Sequence, residues 1–212
     1  MMKSSKAMRR INEILDTAER LFIEKGYEHA TINDVLEASG IAKGSLYYYF
    51  KSKEDVLDGL IKRRGDEYIG AAQAIAASAE HGAREKLLQV IFALQPQDEG
   101  QKKLMNDLEK SGEGQMFVKS LTDIVLRLAP IVSGIIEQGI SERVFSTPFP
   151  LESAQILLAA VHALFDNGNL QWTGADKTKL AIAFITAAER TLGADEHSLM
   201  VLAQAFLLGE NA

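Results

Sequence analysis

Apolar residues recur at helical spacing along almost the whole chain. Ile11, Ile14, Leu15, Ala18, Leu21 and Phe22 stand at i, i+3, i+4 and i+7, and Gly26 follows where a helix would stop. Ala154, Leu157, Leu158, Val161, Leu164 and Phe165 repeat the pattern between Pro148/Pro150 and Gly168. Leu180, Ala181, Phe184, Ile185 and Ala188 form a third stripe ended by Gly193, and Leu87, Leu88, Ile91 and Phe92 a shorter one ended by Pro96. Leu199, Leu202, Ala203, Phe206 and Leu207 form the last, which Met200 and Val201 make apolar almost all round, a pattern that predicts burial. No segment alternates convincingly at period two, and no repeat is present. The spacing predicts an all-α fold.

Between Ser52 and Ala79 there is no proline. A helix of about 25 residues there would be about 38 Å long, enough to bridge two domains. The domain boundary is therefore expected inside a helix, not in a loose linker. Pro130 sits within the apolar run Leu121–Ile140 and predicts a helix that is kinked or split.

The richest stretch runs from Thr31 to Phe50. Thr31 and Asp34 have the spacing of a capping box, and Ile32, Val35 and Leu36 give the helix that follows one apolar face. Gly40 stands where a tight turn requires positive φ. Leu46 and Phe50 can anchor a second short helix on the first. Two short helices joined by a glycine turn, after a longer amphipathic one, describe a helix-turn-helix, whose second helix lies in the DNA major groove.

That second helix carries Lys43, Ser45, Tyr47, Tyr48 and Tyr49 within seven positions, with Lys51 and Lys53 just beyond. Hydroxyls and ammonium groups are natural phosphate partners, and Gly44 lets a backbone approach closely. A short helix cannot bury three consecutive tyrosines in one core, so at least one faces outward.

Charge sharpens this picture. The 212 residues are 47% apolar and 25% charged with a net charge of −6, but residues 1–65 carry +2 and residues 66–212 carry −8. An acidic body with a mildly basic head fits a protein whose head alone meets a polyanion. The absence of cysteine excludes a disulfide framework, a thiolate zinc site, an iron–sulfur cluster and a cysteine nucleophile. No run of 18 apolar residues suggests a membrane span. Lys3, Lys6, Arg9 and Arg10 are followed by no apolar core of a secretory signal, so the expected address is the cytoplasm.

The stretch Gly40–Glu54, Gly-Ile-Ala-Lys-Gly-Ser-Leu-Tyr-Tyr-Tyr-Phe-Lys-Ser-Lys-Glu, closely resembles the DNA-binding domain of the tetracycline-repressor-like (TetR/AcrR) family of bacterial regulators. The likeness covers roughly Ile11 to Ile61. It implies a three-helix DNA-binding domain over residues 1–52, and an effector-binding and dimerisation domain over 53–212, with the boundary within the connecting helix. By that resemblance Thr31 touches phosphate and Asn33 reaches a base. Lys43, Gly44 and Ser45 face the groove, Tyr48 contacts bases or sugar, and Tyr47, Tyr49 and Lys53 hold the backbone. The implied protein is a homodimeric, ligand-responsive repressor that leaves a palindromic operator when a small molecule binds; it is not an enzyme and needs no cofactor. The family usually has Ser or Thr where this chain has Ala42, a lost cap worth about 1 kcal/mol. It also favours Ala where Leu36 stands.

Other constellations are thinner. His162 and Asp166 have a metal-compatible i, i+4 spacing, but no further ligands accompany them. No phosphate loop, nucleophile elbow or paired-carboxylate motif is present. Phe92, Met105, Met116, Phe117, His162 and Phe165 are candidates to line a pocket for a mainly apolar or aromatic effector, though each also suits plain core. Ala159, Ala160, Ala183 and Ala187 would let helices approach closely in a dimer interface. The competing reading is an all-helical interaction module whose helix-turn-helix docks a protein or membrane surface.

Overall fold

The computed structural model describes residues 2–95, 99–110, 114–165, 172, 174–203 and 206, with the side chains of 2–5 and 105–121 outside that description. The elements are α1 (Met2–Lys25), α2 (Ile32–Ser39), α3 (Lys43–Tyr49), α4 (Lys53–Ala77), α5 (Ala83–Ala93), α6 (Glu99–Lys110), α7 (Gly114–Ser141), α8 (Pro150–Phe165), α9 (Gly174–Leu192) and a tight 3-10 turn, Met200–Leu202. The described residues contain no strand, so the protein is all-α.

The chain divides into two compact units and crosses between them three times: within α4, between α5 and α6, and within α7. One unit holds Met1–Gly65 with Pro96–Ser120; the other holds Asp66–Gln95 with Leu121–Ala212. The first boundary therefore lies within α4.

The first unit is organised around α1. Its stripe of Ile14, Leu15, Ala18, Leu21 and Phe22 is buried, as the spacing predicts, and packs with Val35 of α2, Leu46 of α3, and Val56, Leu57 and Leu60 of α4. Leu104 of α6 joins the same core. Gly59 is required by close approach: a Cβ there would stand 2.9 Å from the Phe50 ring and 3.0 Å from Leu15. Charged groups tie α4 to α1 beyond that core. The Arg63 guanidinium donates to Asp16 at 2.5 Å and to Glu19 at 2.8 Å, and Arg64 donates to Glu19 at 2.9 Å.

The second unit is built on α7. Leu128, Ala129, Val132, Ile135 and Ile136 are buried against Leu87 and Val90 of α5 and Ala181, Ile185 and Leu192 of α9. By length and composition alone, Thr122–Ser141 is apolar enough to cross a bilayer; its buried side is the heart of this core. Pro130 neither splits nor ends α7, which runs on to Ser141. The proline is exposed, so the carbonyl that loses its partner can be hydrated. The last apolar stretch departs from expectation. Leu199, Leu202, Ala203 and Phe206 are buried, but Val201 is half exposed and the chain makes a 3-10 turn there. That segment is pinned by the buried Glu189 carboxylate, which accepts from the backbone N–H groups of His197 (3.1 Å) and Leu199 (2.8 Å).

Candidate nucleic-acid interface

The site is assembled by local rules. Thr31 caps α2 reciprocally: its hydroxyl accepts from the Asp34 N–H (3.1 Å), and the Asp34 carboxylate accepts from the Thr31 N–H (2.8 Å). The Thr31 hydroxyl also donates to that carboxylate at 2.7 Å, and Lys25 at the end of α1 reaches it at 2.7 Å. The cap thus binds α2 to α1 as well as starting it. Gly40 then takes the left-handed conformation at φ 63° and turns the chain toward α3. Ala42 precedes α3 without any side-chain cap, as its residue type dictates. Leu46 is fully buried and Phe50 nearly so, which fixes the rotation of α3 about its axis.

With those anchors in place, the tyrosines separate. Tyr47 and Tyr49 pack partly against the core, while Tyr48 is 80% exposed and makes a T-shaped ring contact with Tyr49, at 5.0 Å between centroids. Lys43 and Gly44 are exposed and Ser45 is half-buried. The Lys43 ammonium lies 6.0 Å from the Tyr47 ring centroid. Asn33, on the first turn of α2, and Lys51, beyond α3, are also exposed. Gly44 has no positive φ and no neighbour within 4 Å of a hypothetical Cβ. The fold itself does not demand glycine there.

Two of the expected contact residues also make bonds within the protein. The Lys53 ammonium donates to the carbonyls of Tyr27 (2.9 Å) and Glu28 (3.5 Å) and stands 4.2 Å from the Tyr27 ring centroid. Its charge thus also braces the turn after α1. The Thr31 hydroxyl proton is likewise committed to Asp34. The Thr31 bond belongs to the cap that its spacing predicts, whereas the Lys53 contacts depend on where α1 ends in space. Sequence reasoning also missed Lys25, whose only signal was its place in the last turn of α1.

The Lys25 ammonium, the Thr31 hydroxyl and the Thr31 N–H, in that order, hold the Asp34 carboxyl down to about 2. A carboxylate so depressed favours the folded form above its ordinary value of 3.8, and that contribution is lost as pH falls through about 2. A carbon-detected NMR titration is expected to place the Asp34 midpoint near 2. A midpoint at the ordinary value would contradict the cap.

The remaining candidates lie elsewhere. Phe92 is partly exposed on α5, and His162 is half-buried on α8, where burial pushes its imidazole below the usual value. Phe165 stacks on Phe206 at 4.5 Å and meets Phe184 edge-on at 5.7 Å, all within the second unit. The side chains of Met105, Met116 and Phe117 lie outside the described residues, as does Asp166. Among the described residues no cluster of three metal-ligating side chains occurs. Ala159, Ala183 and Ala187 are exposed and Ala160 is half-buried.

The chain is similar to known proteins. Residues 14–60 match the model for bacterial regulatory proteins of the tetR family, and residues 98–188 match that for a tetracyclin repressor-like C-terminal domain. The HTH-type transcriptional repressor KstR2 of Rhodococcus jostii is 28% identical over 71% of this chain and 74% of its own. The fatty acid metabolism regulator protein of Bacillus subtilis is 28% identical over 60% of this chain; the match spans 66% of that relative, just under two thirds. Among solved structures, GusR of Salmonella enterica superposes with a TM-score of 0.62 at 18% identity, covering 88% of this chain and 96% of that one. The last likeness is one of fold.

Proposed function

Because the chain belongs to the tetR family of bacterial regulatory proteins, whose members are DNA-binding, ligand-responsive transcriptional regulators, we propose that it is a homodimeric repressor whose two α3 helices read a palindromic operator. The observation that carries this reading is the outward face of α3: Tyr48 80% exposed, beside exposed Lys43 and Gly44, on a helix locked by Leu46 and Phe50. In general helix-turn-helix geometry the two half-sites lie about 34–36 Å apart. Lys43, Gly44, Ser45, Tyr48 and Asn33 supply base and sugar contacts in this proposal, and Tyr47, Tyr49 and Lys51 supply phosphate contacts. Lys53 and Thr31 shape the frame that presents them.

Gly44 gives a sharp test of that face. Glycine in a helix costs up to about 1 kcal/mol relative to alanine, yet nothing in the protein occupies the space a methyl would take. Gly44→Ala is expected to keep or raise the melting temperature while weakening operator binding by about tenfold or more, since one methyl would hold the backbone off the DNA. Unchanged operator affinity would remove Gly44 from the interface.

Dimerisation is proposed through α8 and α9. Ile156 (62% exposed) and Ile182 (46% exposed) stand with exposed Ala159, Ala163, Ala183 and Ala187 on faces left open by the described residues. Contiguous exposed apolar surface of this kind marks an interaction site. The effector is proposed to be mainly apolar or aromatic and to bind in the second unit, where His162 is the polar side chain among Ala159–Phe165. The name of the B. subtilis relative, a regulator of fatty acid metabolism, supports apolar chemistry. A cytoplasmic setting follows from the need to reach DNA.

Selection of duplexes from a random pool tests the whole reading. A palindromic consensus bound in a steeply salt-dependent way is expected. No enrichment would favour the interaction-module alternative.

A further inference from the structure

Lys86 and Glu189 are the charged residues buried among those described, each 3% exposed. Glu189 has a local task, closing the turn after α9. Lys86 reaches across elements. From the first turn of α5 its ammonium donates to the carbonyl of Ala76, in the last turn of α4, at 2.8 Å, and to Oε1 of Gln138 on α7 at 2.7 Å. Gln138 is held in that pose by its own amide, which donates to the His81 carbonyl (3.1 Å) and to Glu142 Oε1 (2.6 Å). The second Glu142 oxygen accepts from the Ala83 N–H at 3.0 Å, at the start of α5. That backbone donor, followed by Gln138, keeps the Glu142 carboxyl below its usual range. A continuous chain of hydrogen bonds therefore joins the end of α4, the start of α5 and the end of α7.

Core stability alone does not call for an ammonium at this place. Burying one carries a large desolvation cost, and apolar replacements of buried ionic groups are often neutral or stabilising. What a lysine adds is direction: it accepts one position of the Ala76 carbonyl and penalises others. The carbonyls of the last turn of a helix have no intrahelical partner, so a donor placed there fixes where the helix ends. Near its middle α4 is fastened to α1 by Arg63 and Arg64. It runs unbroken from Lys53 to Ala77, so a restraint on its last turn bears on the element that carries α3.

We propose that Lys86 is a positioning residue for operator recognition: a buried latch that fixes the end of α4 and, through that helix, the presentation of α3. This rests on the DNA-binding reading above. The test uses the full-length protein, a selected operator duplex and a scrambled duplex of equal length, at one salt concentration, with hydrogen exchange of residues 70–77. Lys86→Met, close to lysine in volume, is expected to lower protection in the last turn of α4. It should also cut the ratio of operator to scrambled affinity about tenfold, while scrambled affinity stays unchanged. Gln138→Leu, which removes one acceptor and the orienting amide, is expected to shift both readouts the same way by less, and serves if Lys86→Met does not fold. A lowered melting temperature with an unchanged affinity ratio would make Lys86 merely structural and overturn the proposal. A wild-type protein with no preference for the operator would overturn the DNA-binding reading, and the latch with it.

Discussion

Replacing Lys43 and Tyr48 together with alanine is expected to abolish preference for the operator while leaving the fold and the oligomeric state intact. Both side chains are exposed on α3, and Tyr48 is 80% exposed with its ring in a T-shaped contact with Tyr49. Removing such groups changes stability within about 0.5 kcal/mol. The anchors Leu46 and Phe50 face the other way and stay in place. Each lost base contact is worth about 1–3 kcal/mol of discrimination, so the pair should cost about 2–6 kcal/mol per half-site. Fluorescence anisotropy with operator and scrambled duplexes, beside a circular-dichroism melt, reads both halves of the prediction. Equal operator affinity for wild type and the double variant would remove α3 from recognition.

Ala183→Glu is expected to yield a folded monomer. Ala183 is exposed on α9, next to Ile182 and one turn before Ala187, so a glutamate is accommodated by the isolated chain at little cost. In a symmetric interface each such residue is buried against the partner, and an unpaired buried carboxylate costs several kcal/mol. Light scattering at micromolar concentration should report half the mass of the wild type. Operator affinity should fall by about a hundredfold or more, because two linked half-site contacts become one. A dimer that survives the substitution would move the interface off α9.

The parts of this molecule that were legible in its sequence are those set by local chemistry. Thr31 and Asp34 form the reciprocal cap their spacing predicts, Gly40 takes positive φ, and α4 spans Lys53–Ala77 as the proline-free stretch suggests. Leu46 and Phe50 are buried because a short helix offers them no other stable place. What escaped the sequence depends on packing between distant segments. α6 is charge-rich, and the sequence gives no sign that its Leu104 would join the core around α1. Lys53 reads as a basic residue beside a recognition helix, yet its ammonium turns to the Tyr27 carbonyl because α1 ends within reach. Pro130 reads as a kink or a split, and the structure shows no split: an exposed position inside a long apolar helix tolerates it. Nothing in the pattern around Lys86 marks it as buried; the convergence of α4, α5 and α7 does that.

In the proposed dimer, two α3 helices grip two half-sites on the same face of DNA. Lengthening the spacer of the selected operator by about 5 base pairs, half a helical turn, turns one half-site away from its helix, whereas about 10 base pairs, a full turn, restores the facing. Binding to the half-turn duplex is expected to fall to the level of a single half-site while the intact operator is bound tightly. Equal affinity for the intact and half-turn duplexes would contradict the account.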